Sequence, residues 1–401
     1  MRDPKLIYAD NNATTQVAPE VVEAMQPYFD SEFFNPSSMY EPALRVAGAL
    51  KAARKTVAEF LGGVEPSEVL FTSCATESNN TAIFGVAGAH PVRKHILTSA
   101  VEHPAVLEVC REMQRRGYEV TILPVDRQGQ ITTADYVRAL RPDTLLVSLM
   151  HANNESGVLW PVGEWARIAK ETDPGIVFHT DATQTAGKMP LDLVGEMAHV
   201  DLLSFSGHKM HAPKGVGALF LRRGTPMRPF LLGGHQESGR RGGTENVAFI
   251  VGLARACKLA AEHAGDMGRI ARLRDGLEAE ILRTVSHVEV NGRGVARTPN
   301  TLNMACHFIE GESILYELNG FGICASTGSA CSSGSLEPSH VLRAMGVPLT
   351  AMHGSIRLSF SAYATEAEVK RIAEVFPKVV ANLRNMSPYW DQKRNCPREN
   401  A

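Results

Sequence analysis

The sequence predicts an α/β protein in which helices cover both faces of a mainly parallel, seven-stranded sheet, followed by a smaller C-terminal α/β domain. Three observations predict it. Seven short apolar runs recur between residues 68 and 222. Most are separated by segments of helical period, the alternation that builds parallel sheets. After Arg240 two long helical stretches follow one another without a strand, and short strands then resume.

The seven runs are EVLFTS (68–73), HILTSA (95–100), YEVTILPV (118–125), TLLVSLM (144–150), IVFHT (176–180), DLLSFS (201–206) and VGALFLR (216–222). They read as buried strands. Thr76 to Ala87, Ala105 to Arg116 and Val162 to Glu171 carry the helical period between them. The gap through KMHAPKG is too short for a parallel crossover, so the last two runs are expected to pair antiparallel. Asn246 to Ala264 and Arg269 to Val285 read as consecutive helices, and VEVNG, NTLNMAC and SIRLSF as strands of the second unit. The expected division is a large domain over 15–260 and a small domain formed by 1–14 with 261–401.

Composition narrows the function. The 401 residues carry 41 Lys+Arg against 43 Asp+Glu, a formal charge of −2. That balance gives no global electrostatic case for nucleic acid or an anionic membrane surface. No apolar run approaches the roughly 18 residues of a membrane helix. The opening MRDPKLIYADNN lacks the apolar core of a secretory signal, so a cytoplasmic location is expected. Seven scattered cysteines, an odd count, fit reduced thiols better than a disulfide framework.

In open parallel α/β sheets, ligands sit outside the carboxyl ends of the strands. Here those ends are followed by Cys74-Ala75-Thr76-Glu77, Val101-Glu102-His103, His151-Ala152-Asn153-Asn154-Glu155, Asp181-Ala182-Thr183-Gln184 and Gly207-His208-Lys209. A helix N-terminus with a Thr hydroxyl binds phosphate. An acid can pair with a protonated ring nitrogen, and a lysine can form a Schiff base if its pKa falls from about 10.4. An imidazole can stack on a ring or move protons. Together these are the groups pyridoxal 5'-phosphate requires.

The segment SFSGHKMHAPKGVGAL resembles the cofactor-lysine motif of the cysteine desulfurases, fold type I pyridoxal-phosphate enzymes of the class-V aminotransferase family. So do DNNATT (10–15), FTSCATESNNTAI (71–83), EHPAVLEVC (102–110), MHANNESGV (150–158), HTDATQTAGK (179–188), GGHQESGRRGGTEN (233–246) and STGSACSSGSLEPSHVLRAMG (326–346). The HAPKG form, the GTEN segment and the late SPYW are most similar to the nitrogen-fixation branch. The resemblance implies Lys209 as the Schiff-base lysine, Asp181 at the pyridine nitrogen, Gln184 at the phenolic oxygen and His103 stacked on the ring. It implies that Thr76, the Ala75 amide, Ser206 and His208 hold the phosphate, with Thr244 reaching the phosphate of the other subunit of a homodimer. It places Asn154 and Arg357 at the substrate carboxylate and makes Cys331 the sulfur acceptor. The implied reaction takes sulfur from L-cysteine, leaving L-alanine and a persulfide on Cys331. An iron–sulfur scaffold protein is the implied receiver. Four positions depart from the usual pattern: Cys74 and Ala43 replace Gly, Tyr40 replaces His, and Ser238 replaces Arg.

A free cysteine is usually a small buried apolar residue. Ser326 to Ser335 holds only Ser, Thr, Gly, Ala and Cys, so it cannot build a core and is expected to be a mobile loop (about 325–337) carrying the nucleophile. Cys74, Cys110, Cys257 and Cys306 are expected to be packing residues. His208 and His211 lack a third ligand at zinc-like spacing, so no metal is expected. The competing readings are a selenocysteine lyase or an aminotransferase on the same cofactor, a non-catalytic interaction protein, and a nucleotide-dependent oxidoreductase. The last rests on GFGICA, which follows a helix rather than a strand.

Overall fold

A computed structural model describes residues 6–327, 338–391, 393–394 and 396–398. A short N-terminal strand, β1 (Ile7–Tyr8), precedes the seven strands of the main sheet. These are β2 (Val69–Thr72), β3 (His95–Ser99), β4 (Glu119–Leu123), β5 (Thr144–Ser148), β6 (Val177–Asp181), β7 (Leu202–Ser206) and β8 (Gly217–Leu221). Their spatial order is β2-β8-β7-β6-β5-β3-β4. Pairing is parallel from β7 through β6, β5 and β3 to β4. β8 alone runs backwards, antiparallel to both β7 and β2. All seven expected strands form, and the antiparallel pair lies where the short connection requires it.

The period of two along each strand sorts its side chains into two cores. Phe71, Leu97, Val147, Phe178, Leu203 and Phe220 face one side of the sheet. Their immediate neighbours Leu70, Ile96, Leu146, Val177, Leu202 and Leu219 face the other. Both sets are fully or almost fully buried, which is why these runs read as continuously apolar.

The later strands are β9 (Val288–Val290), β10 (Thr301–Cys306), β11 (Ile323–Cys324) and β12 (Ser355–Ser359). β9, β10 and β12 form an antiparallel sheet in the order β12-β10-β9. Helices Asp266–Thr284, Gly311–Gly320 and Glu366–Met386 share a third core with it, built on Leu302, Met304, Ile356 and Leu358. Val341, Leu342, Met345 and Met352 instead join a core of the seven-stranded sheet.

The N-terminal segment ties the two parts together. β1 pairs in parallel with β11, Tyr8 opposite Cys324. Asn11 donates from its side chain to the Ser359 carbonyl at 2.9 Å. That seam carries Asn12 and Ala13 into the space above the strand ends. No helix among the described residues is long and apolar enough to cross a membrane.

Candidate active site

One cavity of about 480 Å³ opens at the carboxyl ends of the parallel strands. Lys209, Asp181, Gln184, His103, Ala75, Thr76, Ser206, His208, Asn154 and Arg357 all line it. Thr244 is exposed and does not line it. Cys331 lies outside the described residues.

Lys209 follows β7 through a single tight turn. The Gly207 carbonyl accepts from Met210 N at 2.9 Å and from Ala212 N at 3.1 Å. A Cβ on Gly207 would fall 2.9 Å from the Ala212 Cβ, so the turn closes only around glycine. Lys209 Nζ donates to the carbonyls of Asn12 at 2.7 Å and Ala13 at 2.6 Å. Asp181 ends β6, next to β7 in the sheet. Its two oxygens accept from Asn79 Nδ2 at 2.7 Å and Thr183 N at 2.9 Å, which fixes the plane of the carboxylate.

One end of the cavity is built by the start of helix Ala75–Ala89, which opens just after β2 and brings Ala75 and Thr76 into the lining. Its first N–H groups are unpaired within the helix, and Ala75 and Thr76, which carry two of them, line the cavity. Gly217 lets the Cys74 backbone press against β8, since a Cβ there would lie 2.9 Å from the Cys74 carbonyl carbon. Glu77, in the first turn, is turned away: Arg241 holds it in a two-pronged pair at 2.8 and 3.1 Å. The negative charge that would oppose a phosphate is thereby neutralised.

His103 caps helix Pro104–Arg115, its Nδ1 accepting from Ala105 N at 3.1 Å. Accepting there leaves the ring proton on Nε2. Burial pushes the imidazole pKa down and Asp181 pulls it up, but Lys209 and His340 add to the fall. Burial, with Lys209, Lys214 and Lys188, brings His208 down to about 4, so it is a neutral ring beside Thr14 Oγ1 at 3.1 Å.

Arg357 lies on β12, with 2% of its side chain exposed. It donates to Asp10 Oδ1 at 2.7 Å and to the Asn154 carbonyl at 3.0 Å. Asn12 Nδ2 reaches the same Asn154 carbonyl at 3.2 Å.

The sequence reading gave no roles to Asn12, Asn79, Thr183, Glu155 or His340, all of which line the cavity. Asn79 had a weak signal: it is one of a run of polar, weak helix formers, Ser78 to Thr81, early in the helix. The others are brought in by contacts across the chain. The expectation that Cys74 is a packing residue fails, because it lines the cavity. Cys74 is the helix N-cap, so its side chain projects from the end of the element instead of into the core. Cys110, Cys257 and Cys306 are buried as expected. Burial pushes Cys110 and Cys306 up to about 12, and Cys257 higher still.

Glu102, next to His103, is fully buried. Its Oε1 accepts from Ser99 Oγ at 2.8 Å and Met150 N at 3.0 Å, while Oε2 has no partner. Burial pushes this carboxyl up to about 8, and the Asp181 charge adds to the rise. Between about 4.3 and that value the unfolded chain has lost the proton and the folded chain keeps it. Stability therefore falls with rising pH in that window, by up to about 1.4 kcal/mol per unit, and levels off above it. Glu102→Gln keeps the accepting oxygen and cannot ionise. Its unfolding free energy, measured by denaturant titration from about pH 5 to 9, should gain on the native chain up to about 8 and then run parallel to it. A constant difference across that range would show that Glu102 ionises normally.

Residues 7–372 match the family described as aminotransferase class-V. The chain belongs to the class-V aminotransferase family. It is 53% identical over 387 residues to the cysteine desulfurase NifS of Azotobacter vinelandii, covering 96% of this chain and 95% of that one. It is 52% identical over 384 residues to cysteine desulfurase 2 of Trichormus variabilis, with the same coverage. Among solved structures, a NifS-like protein superimposes with a TM-score of 0.88 at 37% identity, covering 94% of this chain and 100% of that one. A NifS-like protein from Rickettsia africae gives 0.82 at 29% identity, covering 93% and 99%.

Class-V aminotransferases and their cysteine desulfurase members are pyridoxal-phosphate enzymes. The cavity fits that group. Thr183 Oγ1 and Ser206 Oγ are buried, and both residues line the cavity; among the described residues neither oxygen has a hydrogen-bond partner. Buried hydroxyls are rarely left so, and a polar ligand in the cavity would satisfy both. The cavity also supplies a lysine amine, a fixed carboxylate and a helix N-terminus, the set such a cofactor needs.

Proposed function

We propose that this chain is a pyridoxal-phosphate-dependent cysteine desulfurase that removes sulfur from L-cysteine, yielding L-alanine and a persulfide on Cys331. The observation that carries the reading is the convergence of Lys209, Asp181, His103 and Arg357 on one cavity in a chain about half identical to curated cysteine desulfurases. Lys209 would hold the cofactor, Asp181 would face its ring nitrogen and His103 its ring face. Gln184 would face its phenolic oxygen. Thr76, the Ala75 amide, Ser206 and His208 would hold its phosphate.

When bound, pyridoxal phosphate supplies an electrophilic aldehyde and an electron sink. The residues do the rest. Arg357, held by Asp10 and Asn154, presents a guanidinium to the substrate carboxylate and fixes which substrate bond faces Lys209. The Lys209 amine, once released, takes the Cα proton. The Cys331 thiolate attacks the substrate sulfur, the carbon–sulfur bond breaks toward Cβ, and that carbon takes a proton to become the methyl of alanine. His103, neutral and with its proton on Nε2, is suited to carry that proton.

The test is incubation with L-cysteine and a dithiol reductant, which releases the persulfide sulfur as sulfide, with and without an iron–sulfur scaffold protein and ferrous iron. Alanine and sulfide formed in equal amounts, with cluster assembled on the scaffold, is the expected result. The sulfur-containing 2-oxo acid of cysteine, formed with a 2-oxo acid co-substrate and without alanine, sulfide or persulfide, would favour an aminotransferase.

The working unit is proposed to be a cytoplasmic homodimer that serves nitrogen-fixation iron–sulfur assembly. Support for the dimer comes from the 233–246 segment. Beside it Leu232 is 82% exposed and Phe230 and Leu231 are 42% exposed, a patch of the kind that protein contacts cover. Thr244, outside its own cavity, is read as reaching the partner's phosphate site. The native chain should sediment as a dimer, and Thr244→Val should hold cofactor about tenfold more weakly in dialysis, about one lost hydrogen bond to a charged group. A fully active monomer at low concentration would overturn this reading. The division into 15–260 and 1–14 with 261–401 is likewise proposed. It is supported by a separate core that joins Ala9 to residues 267–383.

A further inference from the structure

Lys188 takes no part in the chemistry above, yet it is only 9% exposed. Its Nζ donates to Gln184 Oε1 at 2.8 Å and to Asn12 Oδ1 at 3.3 Å. Among the described residues it has no carboxylate partner. The charges around it are those of Lys209 and Arg357, which with burial push its ammonium well below the ordinary lysine range. A buried amine in such surroundings costs stability relative to an apolar side chain of similar length. Its place in the hydrogen-bond pattern gives the reason for keeping it.

Gln184 lines the cavity and its amide can sit two ways, with oxygen and nitrogen exchanged. Whether charged or neutral, the Lys188 amine has hydrogens for both of its contacts, and Asn12 Oδ1 is one acceptor, so the atom of Gln184 facing it is matched as the other, the oxygen. The Asn12 carbonyl only accepts, and it takes a hydrogen from Gln184 Nε2 at 3.1 Å. Rotating the amide would set donor against donor at Lys188 and acceptor against acceptor at Asn12. The observed orientation leaves the second Nε2 hydrogen as the group offered to a ligand. Asn12 is itself fixed, its Oδ1 accepting from Asn300 Nδ2 at 3.0 Å. Its carbonyl also takes a hydrogen bond from Lys209 at 2.7 Å.

The geometry points to Lys188 as a positioning residue that locks the Gln184 amide with its donor toward the cofactor's phenolic oxygen. The inference rests on the reading of Gln184 as a cofactor contact, and the experiment separates the two. Lys188→Met, Gln184→Leu and the double variant are purified with pyridoxal phosphate. The visible absorption maximum and the rate of cofactor loss on dialysis are recorded, with the melting temperature of each cofactor-free protein. Gln184→Leu should shift the maximum and speed cofactor loss about tenfold. Lys188→Met should shift it in the same direction and speed loss severalfold, because the amide is free to turn. The double variant should match Gln184→Leu alone. The cofactor-free Lys188→Met protein should melt no lower than the native one, since a buried amine has been replaced by an apolar chain.

If Gln184→Leu leaves spectrum and retention unchanged, the cofactor-contact reading itself fails and the positioning role with it. If Gln184→Leu shifts both but Lys188→Met changes neither, or the two effects add in the double variant, the positioning role alone is overturned. A lowered melting temperature with a native spectrum would show that Lys188 is merely structural.

Discussion

Lys209→Ala should abolish the borohydride-reducible link between chain and cofactor and lower desulfurase turnover by about 10³-fold or more. Two roles are lost at once, the covalent anchor and the base for the Cα proton. A positioned proton-transfer group is by itself worth about 10²–10⁴ in rate. Folding should survive, because what the variant leaves behind is two backbone carbonyls, of Asn12 and Ala13, without their ammonium partner. That costs about 1–3 kcal/mol, and water entering the enlarged cavity can recover part of it. The sharp alternative is Lys188, the other lysine behind the same wall. It does not line the cavity, and its amine is held by Gln184 and Asn12. Mass spectrometry of the reduced, digested protein decides between them. Cofactor fixed to residue 188, or to any residue of the variant, would overturn the assignment of Lys209.

How much of this was legible in the sequence follows from the range of the interactions. Six of the seven strands were readable because they are buried along their whole length, so apolar residues dominate each run and a local scan finds it, whereas β4, at the sheet edge, is partly exposed and read from its alternating Val120, Ile122 and neighbouring Leu123. The antiparallel β8 was readable because chain length alone forbids a crossover between Ser206 and Gly217. The strand-end groups Asp181, Lys209 and His103 were readable because topology brings strand ends to one edge. Asn12 was not, although it contacts Gln184, Lys188, Lys209, Asn154, Asn300 and Thr301. Its position is set by the pairing of β1 with β11, more than 300 residues away, and no local pattern encodes that register. Cys74 was misread for a related reason. Its neighbours Phe71 and Thr72 are core residues, but the N-cap turn changes the side-chain direction within two positions.

Cys331→Ala should separate cofactor chemistry from sulfur transfer. The residues proposed to hold the cofactor lie on strand ends and a helix start within the cavity, and Cys331 is not one of them. Its neighbours in sequence from Ser326 to Ser335 are Ser, Thr, Gly and Ala besides the cysteine itself, none of them a large apolar residue. The substitution should cost within about 0.5 kcal/mol of stability. The cofactor should stay bound, and L-cysteine should still change its absorption. Sulfide release and protein-bound persulfide should drop to background. Two other thiols could compete. Cys324 is paired in β11 with Tyr8. Cys74 is the more serious rival because it lines the same cavity, but it caps the helix start proposed to hold phosphate, whereas Arg357, proposed to hold the substrate carboxylate, lies on β12. Cys74→Ser should therefore keep near-native sulfide production. Alkylation of the persulfide followed by peptide mapping places the sulfur directly. Sulfur found on Cys74 in the native chain would transfer the nucleophile's role to that thiol. Near-normal alanine and sulfide from Cys331→Ala, with no persulfide on any cysteine, would make the protein a lyase that expels sulfide without a protein nucleophile.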